Sequence, residues 1–105
     1  LYNSAVSRCY YAMFQAAVVS LEAAGFRPRG REWSHEGVQA TFAAELTRRR
    51  KLYPHELAGY LNEALAIRHA ADYRDVDVSQ SQTSRLLKWA QAFVGKVQEV
   101  TGYGS

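Results

Sequence analysis

The sequence predicts an all-α fold, an up-and-down bundle of four helices. Nearly every periodic run of apolar residues in the 105-residue chain repeats at helical spacing, and no stretch alternates β-branched and polar residues as a half-buried strand would. The composition is that of a globular protein, because 48% hydrophobic and 22% charged residues accompany only two prolines. At this length we expect a single domain over residues 1 to 105.

The first predicted helix, about residues 3 to 24, is apolar on nearly all of its faces. Only a narrow polar seam interrupts it, with Arg8, Gln15 and Glu22 at seven-residue intervals. A helix of this kind must be covered on several sides, so we expect it at the centre of the bundle. Gly25 is a suitable stop at its C-terminal end. Its strongest apolar face consists of Val6, Tyr10, Met13, Phe14, Ala17 and Leu21.

A second predicted helix follows the loop "FRPRGREW", whose proline and glycine exclude helix. Ser34 is placed to cap this helix, which we expect to extend over about residues 35 to 49. The cations "RRRK" at 48 to 51 stand at its C-terminal end, where the helix dipole favours positive charge. Its narrow apolar stripe consists of Val38, Phe42 and Leu46.

Two further helices are predicted after the second. Pro54 suits the first turn of the third helix, because the missing N–H costs nothing there. Ser79, with Gln82 three residues later, has the spacing of a capping box that opens the fourth helix. The third helix has the apolar positions Leu57, Tyr60, Leu61, Ala64 and Leu65. In the fourth helix, the side chains that we expect to face the core are those of Leu86, Leu87, Ala90, Phe93, Val94 and Val97. These stripes are too thin to cover the first helix, so we expect a further helix or a partner subunit.

The net charge of +3 is concentrated in one region of the chain. Residues 27 to 51 contain seven cations and three acids, whereas the remainder carries six cations and seven acids. Such a region can attract phosphate by electrostatics alone. Two interpretations of its last four cations remain open, a solvated helix end or a contact with an RNA backbone, in which Trp33 or Tyr53 supplies stacking. These cations are Arg48, Arg49, Arg50 and Lys51.

Several classes of protein are not supported by the sequence. No segment reaches the roughly 18 unbroken apolar residues of a membrane span, and no signal peptide is evident. The single Cys9 cannot form an internal disulfide, so we expect a cytoplasmic protein without membrane association. Three histidines and one cysteine lack the close spacing of metal ligands, and no serine lies in a glycine elbow. We therefore expect no metal, no cofactor and no serine hydrolase chemistry.

A charged pair interrupts the apolar stripe of the third predicted helix. Counting eleven residues on from Leu57 at about 100° per residue returns to within about 20° of the same direction, at Arg68. Asp72 lies one turn further on the same face, where it can pair with Arg68. An inward guanidinium needs a partner. The pair is either a structural ion pair, at a helix end or a dimer interface, or part of a phosphate or nucleotide site.

Three stretches of the chain resemble the HEPN domains of prokaryotes, in particular a subgroup with the signature R-x-x-A-D-Y. They are "SRCYYAMFQAA" at 7 to 17, "GFRPRGREWSHEGV" at 25 to 38 and "LNEALAIRHAADYRDVDVS" at 61 to 79. The resemblance implies a helical bundle that is usually homodimeric and often encoded beside a minimal nucleotidyltransferase. Many members are RNA-cleaving toxins or defence ribonucleases. The helix that normally precedes "SRxYYAMF" in the family is absent here, and we interpret the chain as N-terminally incomplete.

The resemblance assigns roles by position. Arg68 matches the arginine of the ribonuclease members, and Tyr73 stands five residues later, where those members carry a catalytic histidine. His69 falls where many members have another polar residue, and Asp75 occupies the place of a tyrosine that the nucleotidyltransferase modifies. The histidine of "SHEGV", His35, resembles a recurrent family histidine, although its position alone indicates a first-turn residue beside the cap.

Three functions are therefore considered from the sequence. The first is a nucleotide- or RNA-binding and partner-binding module of a toxin–antitoxin or defence pair with a nucleotidyltransferase. The second is a metal-independent ribonuclease in which Arg68 acts with Tyr73 or His69. The third is a purely structural dimerisation domain. For the binding module, the expected ligand-binding residues are Arg68, Asp72, Tyr73, Arg8 and Tyr11.

Overall fold

The structure, a computed structural model, describes residues 2 to 74 and 77 to 103 and contains four helices in that part of the chain. The predicted all-α fold is confirmed. The second helix begins as an α-helix and continues without a break as a π-helix. The elements are α1 (Tyr2–Ala23), α2 (His35–Thr41) with its π-helical segment (Phe42–Arg49), α3 (His55–Tyr73) and α4 (Gln80–Thr101).

Helix α1 is the centre of the bundle, as its apolar faces predict. It packs against α4, α3, α2 and the π-helical segment. Its inward face is fully shielded from solvent, and this burial supplies much of the hydrophobic stabilisation of the fold. The fully buried side chains of α1 include Val6, Tyr10, Met13, Ala17 and Leu21.

The helix ends follow local signals in the sequence. Gly25 adopts a left-handed φ of 95° just after α1, which a residue without a side chain tolerates best. The Ser34 hydroxyl accepts a hydrogen bond of 2.9 Å from the backbone N–H of Gly37, and Ser79 forms the predicted capping box with Gln82. Pro54 is extended and is the N-cap of α3 itself, one position before the predicted first turn.

The π-helical segment is a departure from the predicted regular helix. The backbone N–H of Arg50 donates to the carbonyl of Glu45, five residues earlier, at 2.9 Å. The chain then reverses tightly, because the carbonyl of Leu46 accepts from the N–H groups of both Leu52 and Tyr53. Such wide π-helical turns are rare and often lie at functional sites. Here the wide turn returns the chain so that Tyr53 packs on the core.

Helix α4 closes the bundle against α1. Its inward residues Leu86, Ala90, Phe93 and Val97 are buried, as predicted, but Leu87 is 50% exposed and the prediction for it was wrong. Leu87 lies one residue, about 100°, round from Leu86, and this rotation takes it out of the core to the rim of a groove between α1 and α4. In the described part of the chain, no helix combines the length and apolar character needed to cross a membrane.

Candidate functional site

Arg68 lies on α3 with most of its side chain covered, as its place on the apolar stripe predicts. Only 18% of that side chain is exposed, and Nε stands 3.5 Å from Oδ2 of Asp72, whose side chain is 37% exposed. Nε is buried without an aligned hydrogen bond among the described residues, so the contact with Asp72 is an ion pair only. The charge of Arg68 is therefore only partly neutralised within the domain.

The guanidinium of Arg68 rests on two consecutive tyrosines of α1. Its Nη2 donates to the hydroxyl of Tyr11 at 3.4 Å, and its Cζ lies 4.9 Å from the centre of the Tyr11 ring. The Tyr10 ring lies 5.5 Å away. Aromatic faces attract a cation, so the two tyrosine rings hold the guanidinium in place. Tyr10 is fully buried, whereas Tyr11 is 42% exposed and leaves part of this platform open to solvent.

His35, the first residue of α2, belongs to the same cluster. Its Nδ1 lies 2.6 Å from the hydroxyl of Tyr10, and its ring centre is 5.4 Å from that of Tyr10 and 6.4 Å from that of Tyr11. Phe14 packs against it at 4.9 Å. The sequence did not assign His35 to the Arg68 site. The available signal was the "SHEGV" context, and only the tertiary structure shows that the histidine and the arginine meet the same two tyrosine rings.

Burial and charge set the protonation states in this cluster. Burial lowers the pKa of His35, and the neighbouring charge of Arg68 lowers it further. Burial raises the pKa of Tyr10 to about 12, against the opposing influence of Arg68. At neutral pH the imidazole of His35 is therefore uncharged and the phenol of Tyr10 keeps its proton.

The lowered pKa of His35 predicts a pH-dependent stability. Because the unfolded chain binds this proton more readily, the contribution is complete above about pH 6.5 and is lost as pH falls through the lower folded-state pKa. We expect the melting temperature to fall on acidification from about pH 7 to pH 5, and to fall less in His35→Asn. Differential scanning calorimetry at matched ionic strength measures this. His55→Asn is the control, and an equal reduction of the pH dependence in it would contradict the assignment.

The other predicted site residues on α3 lie on its exposed surface. Tyr73 is 79% exposed, and its ring meets that of His69 edge-on at 5.5 Å. Asp75, the place of the modified tyrosine in the family, lies outside the described residues. Arg8 lines the groove between α1 and α4, and no contact in the described part of the chain joins it to Arg68. Tyr11 and Asp72 are thus the predicted partners that the structure brings to Arg68.

The basic segment at residues 48 to 51 lies beside the loop that follows α1. Arg50 donates to the carbonyl of Ala24 at 3.0 Å, and its guanidinium lies 4.8 Å from the ring of Phe26. Arg49 pairs with Glu45 at 2.8 Å. Tyr53 is buried against the core and is not available to stack on a base, which corrects that part of the prediction, whereas Trp33 is partly exposed.

Comparison with known proteins identifies the family. A family model for the HEPN domain matches residues 1–100. The chain belongs to the HEPN domain family. A curated relative of this HEPN domain, from Methanocaldococcus jannaschii, is 32% identical over 99 residues and is named as a "putative toxin". The match covers 93% of the present chain and 64% of the relative. No solved structure matches the chain.

The chemistry that this HEPN domain offers is that of anion binding with a titratable neighbour. Across residues 2 to 74 and 77 to 103, no three histidine, cysteine, aspartate or glutamate side chains come together to hold a metal ion. The cluster instead presents the Arg68 guanidinium, the Tyr11 hydroxyl and a neutral imidazole, His35, around two aromatic rings. The guanidinium and the Tyr11 hydroxyl match the negative charge of a nucleotide, and the exposed part of the Tyr11 ring matches its flat base.

Proposed function

We propose that this HEPN domain is a toxin-like module that binds RNA, with a phosphate held at Arg68. The observation that supports this most directly is the incomplete pairing of the guanidinium. Nε meets only the partly exposed carboxylate of Asp72 at 3.5 Å, and Nη2 makes one long hydrogen bond to Tyr11. No contact in the described part of the chain uses Nη1. The name of the archaeal relative adds support for the toxin-like role.

Arginine suits a phosphate because its planar fork donates two parallel hydrogen bonds to two oxygens. The tyrosines beneath hold that fork in place, so little side-chain entropy remains to be lost on binding. The exposed part of Tyr11 offers a ring face for a base and a hydroxyl for a phosphate or sugar oxygen. Asp72 orients Arg68 through the ion pair, and Tyr73, being exposed, can hydrogen-bond either a phosphate or an opposing subunit.

A second part of the proposal concerns the basic segment and its loop. Arg48, Arg49 and Lys51 are exposed, and Arg50 ties the segment to the loop that carries Arg27, Arg29 and Arg31. These cations provide a sequence-independent attraction for an RNA backbone that weakens as salt rises. The partly exposed ring of Trp33 lies in the same loop and can supply stacking.

The assembly is also part of the proposal. We expect a homodimer that acts in the cytoplasm with a nucleotidyltransferase as its antitoxin partner. Support comes from the resemblance and from the groove of about 460 Å³ between α1 and α4, which leaves apolar surface of the central helix uncovered. Light scattering on the protein alone, and with a minimal nucleotidyltransferase added, measures both associations.

Arg68→Ala tests the function. We expect it to raise the dissociation constant for a short, fluorescently labelled single-stranded RNA by about 10- to 100-fold, because a hydrogen-bonded ionic contact contributes about 1.5 to 3 kcal/mol. Fluorescence anisotropy at fixed salt measures the affinity, with circular dichroism as the folding check. Arg85→Ala removes the same charge from α4, where Arg85 lies over Trp89, and serves as the matched control. Equal losses in the two variants, or none in either, would refute the Arg68 site and leave a structural ion pair.

A further inference from the structure

The imidazole of His35 is a titratable group in the same cluster as Arg68. Phosphate binding at Arg68 gives this imidazole no role. It sits at the start of α2, held by α1 and facing the same tyrosines as Arg68. Tyr10 fixes one of its ring nitrogens at 2.6 Å, and Phe14 packs against the ring at 4.9 Å. A histidine whose one nitrogen is fixed by a buried hydroxyl has the other nitrogen, Nε2, left to exchange a proton.

We propose that His35 is the proton-transfer residue of an RNA-cleaving site in which Arg68 holds the scissile phosphate. This inference rests on the proposed function, because it uses the same phosphate site. It differs from the assignment suggested by position in the family, which places Tyr73 or His69 in that role. The surroundings of His35 in the fold favour it for this role.

Three features favour His35 over the two residues near the end of α3. Its Nδ1 is held by Tyr10, whereas the contact of His69 is an edge-on one with the exposed ring of Tyr73. The phenol of Tyr10 keeps its proton, so its oxygen can accept a hydrogen bond from Nδ1–H whether the imidazole is neutral or charged. A phenol is a poor general base at neutral pH, because the reference pKa of tyrosine is about 10.

The charged and titratable groups around His35 come from three helices. Tyr10 and Tyr11 face it from α1, Arg68 and His69 from α3, and Glu36 is its neighbour on α2. Burial, Arg68 and His69 favour the neutral imidazole, and Glu36 opposes them. The net result is a base that is already deprotonated at neutral pH, beside the cation that would stabilise negative charge on the phosphate.

The reaction needs no reactant other than RNA. The 2′-hydroxyl gives its proton to Nε2 of His35, and the 2′-oxygen forms a bond to phosphorus. The bond from phosphorus to the 5′-oxygen breaks, and the departing oxygen takes the electron pair and then the proton from the imidazolium. The products are a 2′,3′-cyclic phosphate and a 5′-hydroxyl, and His35 returns to its neutral form. DNA lacks the 2′-hydroxyl, so the site binds DNA phosphates without cutting them.

The test compares His35→Asn with wild type on a single-stranded RNA and on a DNA of the same sequence. Asparagine keeps a polar group near Tyr10 but cannot exchange a proton at neutral pH. We expect the rate of RNA cleavage to fall by about 10²- to 10⁴-fold, while the dissociation constant for the RNA stays unchanged. The cyclic phosphate product identifies the reaction. His55→Asn is the matched control and should cleave at the wild-type rate, because His55 lies about 20 Å from Arg68 along α3.

The pH profile is the second readout. Wild-type cleavage should decline on the acid side with a midpoint below about 6.5, and this limb should be absent from the residual rate of His35→Asn. If the variant does not fold, a wild-type profile without that limb overturns the proposal. Full cleavage by His35→Asn together with loss of cleavage in His69→Asn overturns the role of His35. RNA binding without any cleavage overturns it as well. Both outcomes leave the phosphate site at Arg68 intact. Wild-type affinity in Arg68→Ala instead refutes the proposed function itself.

Discussion

Replacing Phe42 with alanine is expected to lower the free energy of unfolding by about 3 to 5 kcal/mol. Phe42 is fully buried at the start of the π-helical segment, and its ring lies 5.1 Å from that of Phe93 and 5.3 Å from that of Tyr53. The ring thus joins the second helix to α4 and to the chain reversal after the segment. Alanine would leave a cavity that these three elements cannot fill without moving, and the cavity adds to the lost transfer free energy.

Urea unfolding followed by circular dichroism measures this loss. Leu87→Ala is the matched control, because Leu87 is half exposed at the rim of a groove and its truncation should change the free energy of unfolding by at most about 0.5 kcal/mol. If Phe42→Ala lowered the free energy of unfolding no more than Leu87→Ala, Phe42 would not pack the π-helical segment against α4 in solution. A change in the slope of the unfolding free energy against urea concentration would show that the substitution altered the compactness of the native or the unfolded state.

The fold could be predicted because its strongest signals are local. The apolar faces of α1 and α3 repeat at helical spacing, and a residue such as Gly25 or Ser79 acts within three or four positions along the chain. Such signals require no knowledge of the rest of the molecule. The same reasoning predicted that Arg68 faces inward and that Asp72 lies beside it, because an i, i+4 pair depends only on the helix geometry.

The structure differs from the prediction where packing between segments that are distant in the chain determines the conformation. The turn at Leu46, whose carbonyl accepts from both Leu52 and Tyr53, depends on the core that receives the Tyr53 ring. The exposure of Leu87 depends on the rotation of α4 relative to α1, which hydropathy cannot fix when two adjacent leucines compete for the core. The contact between His35 and Tyr10 joins residues 25 positions apart. No periodicity connects them, so the most informative part of the site could not be predicted.

Replacing Tyr10 separates the role of its ring from that of its hydroxyl. Tyr10→Ala is expected to lower the free energy of unfolding by about 3 to 5 kcal/mol, because the ring is fully buried in the central helix. Tyr10→Phe keeps the ring and should lower it by only about 1 kcal/mol, the net value of a typical hydrogen bond, since His35 remains partly accessible to water. Paired urea titrations of the two variants measure the difference.

The same two variants separate two roles of Tyr10, the support of the Arg68 guanidinium by its ring and the hydrogen bond of its hydroxyl with His35. The Tyr10 ring lies under the guanidinium at 5.5 Å, so its removal should weaken RNA binding even where Tyr10→Ala is still folded. Tyr10→Phe should bind RNA normally, because that face is unchanged. Its cleavage rate should nevertheless fall, with the acid limb moved to lower pH, because the imidazolium loses the oxygen that accepts from Nδ1–H. Normal cleavage with an unmoved limb would mean that the hydroxyl serves stability alone, and that His35 needs no partner to transfer a proton.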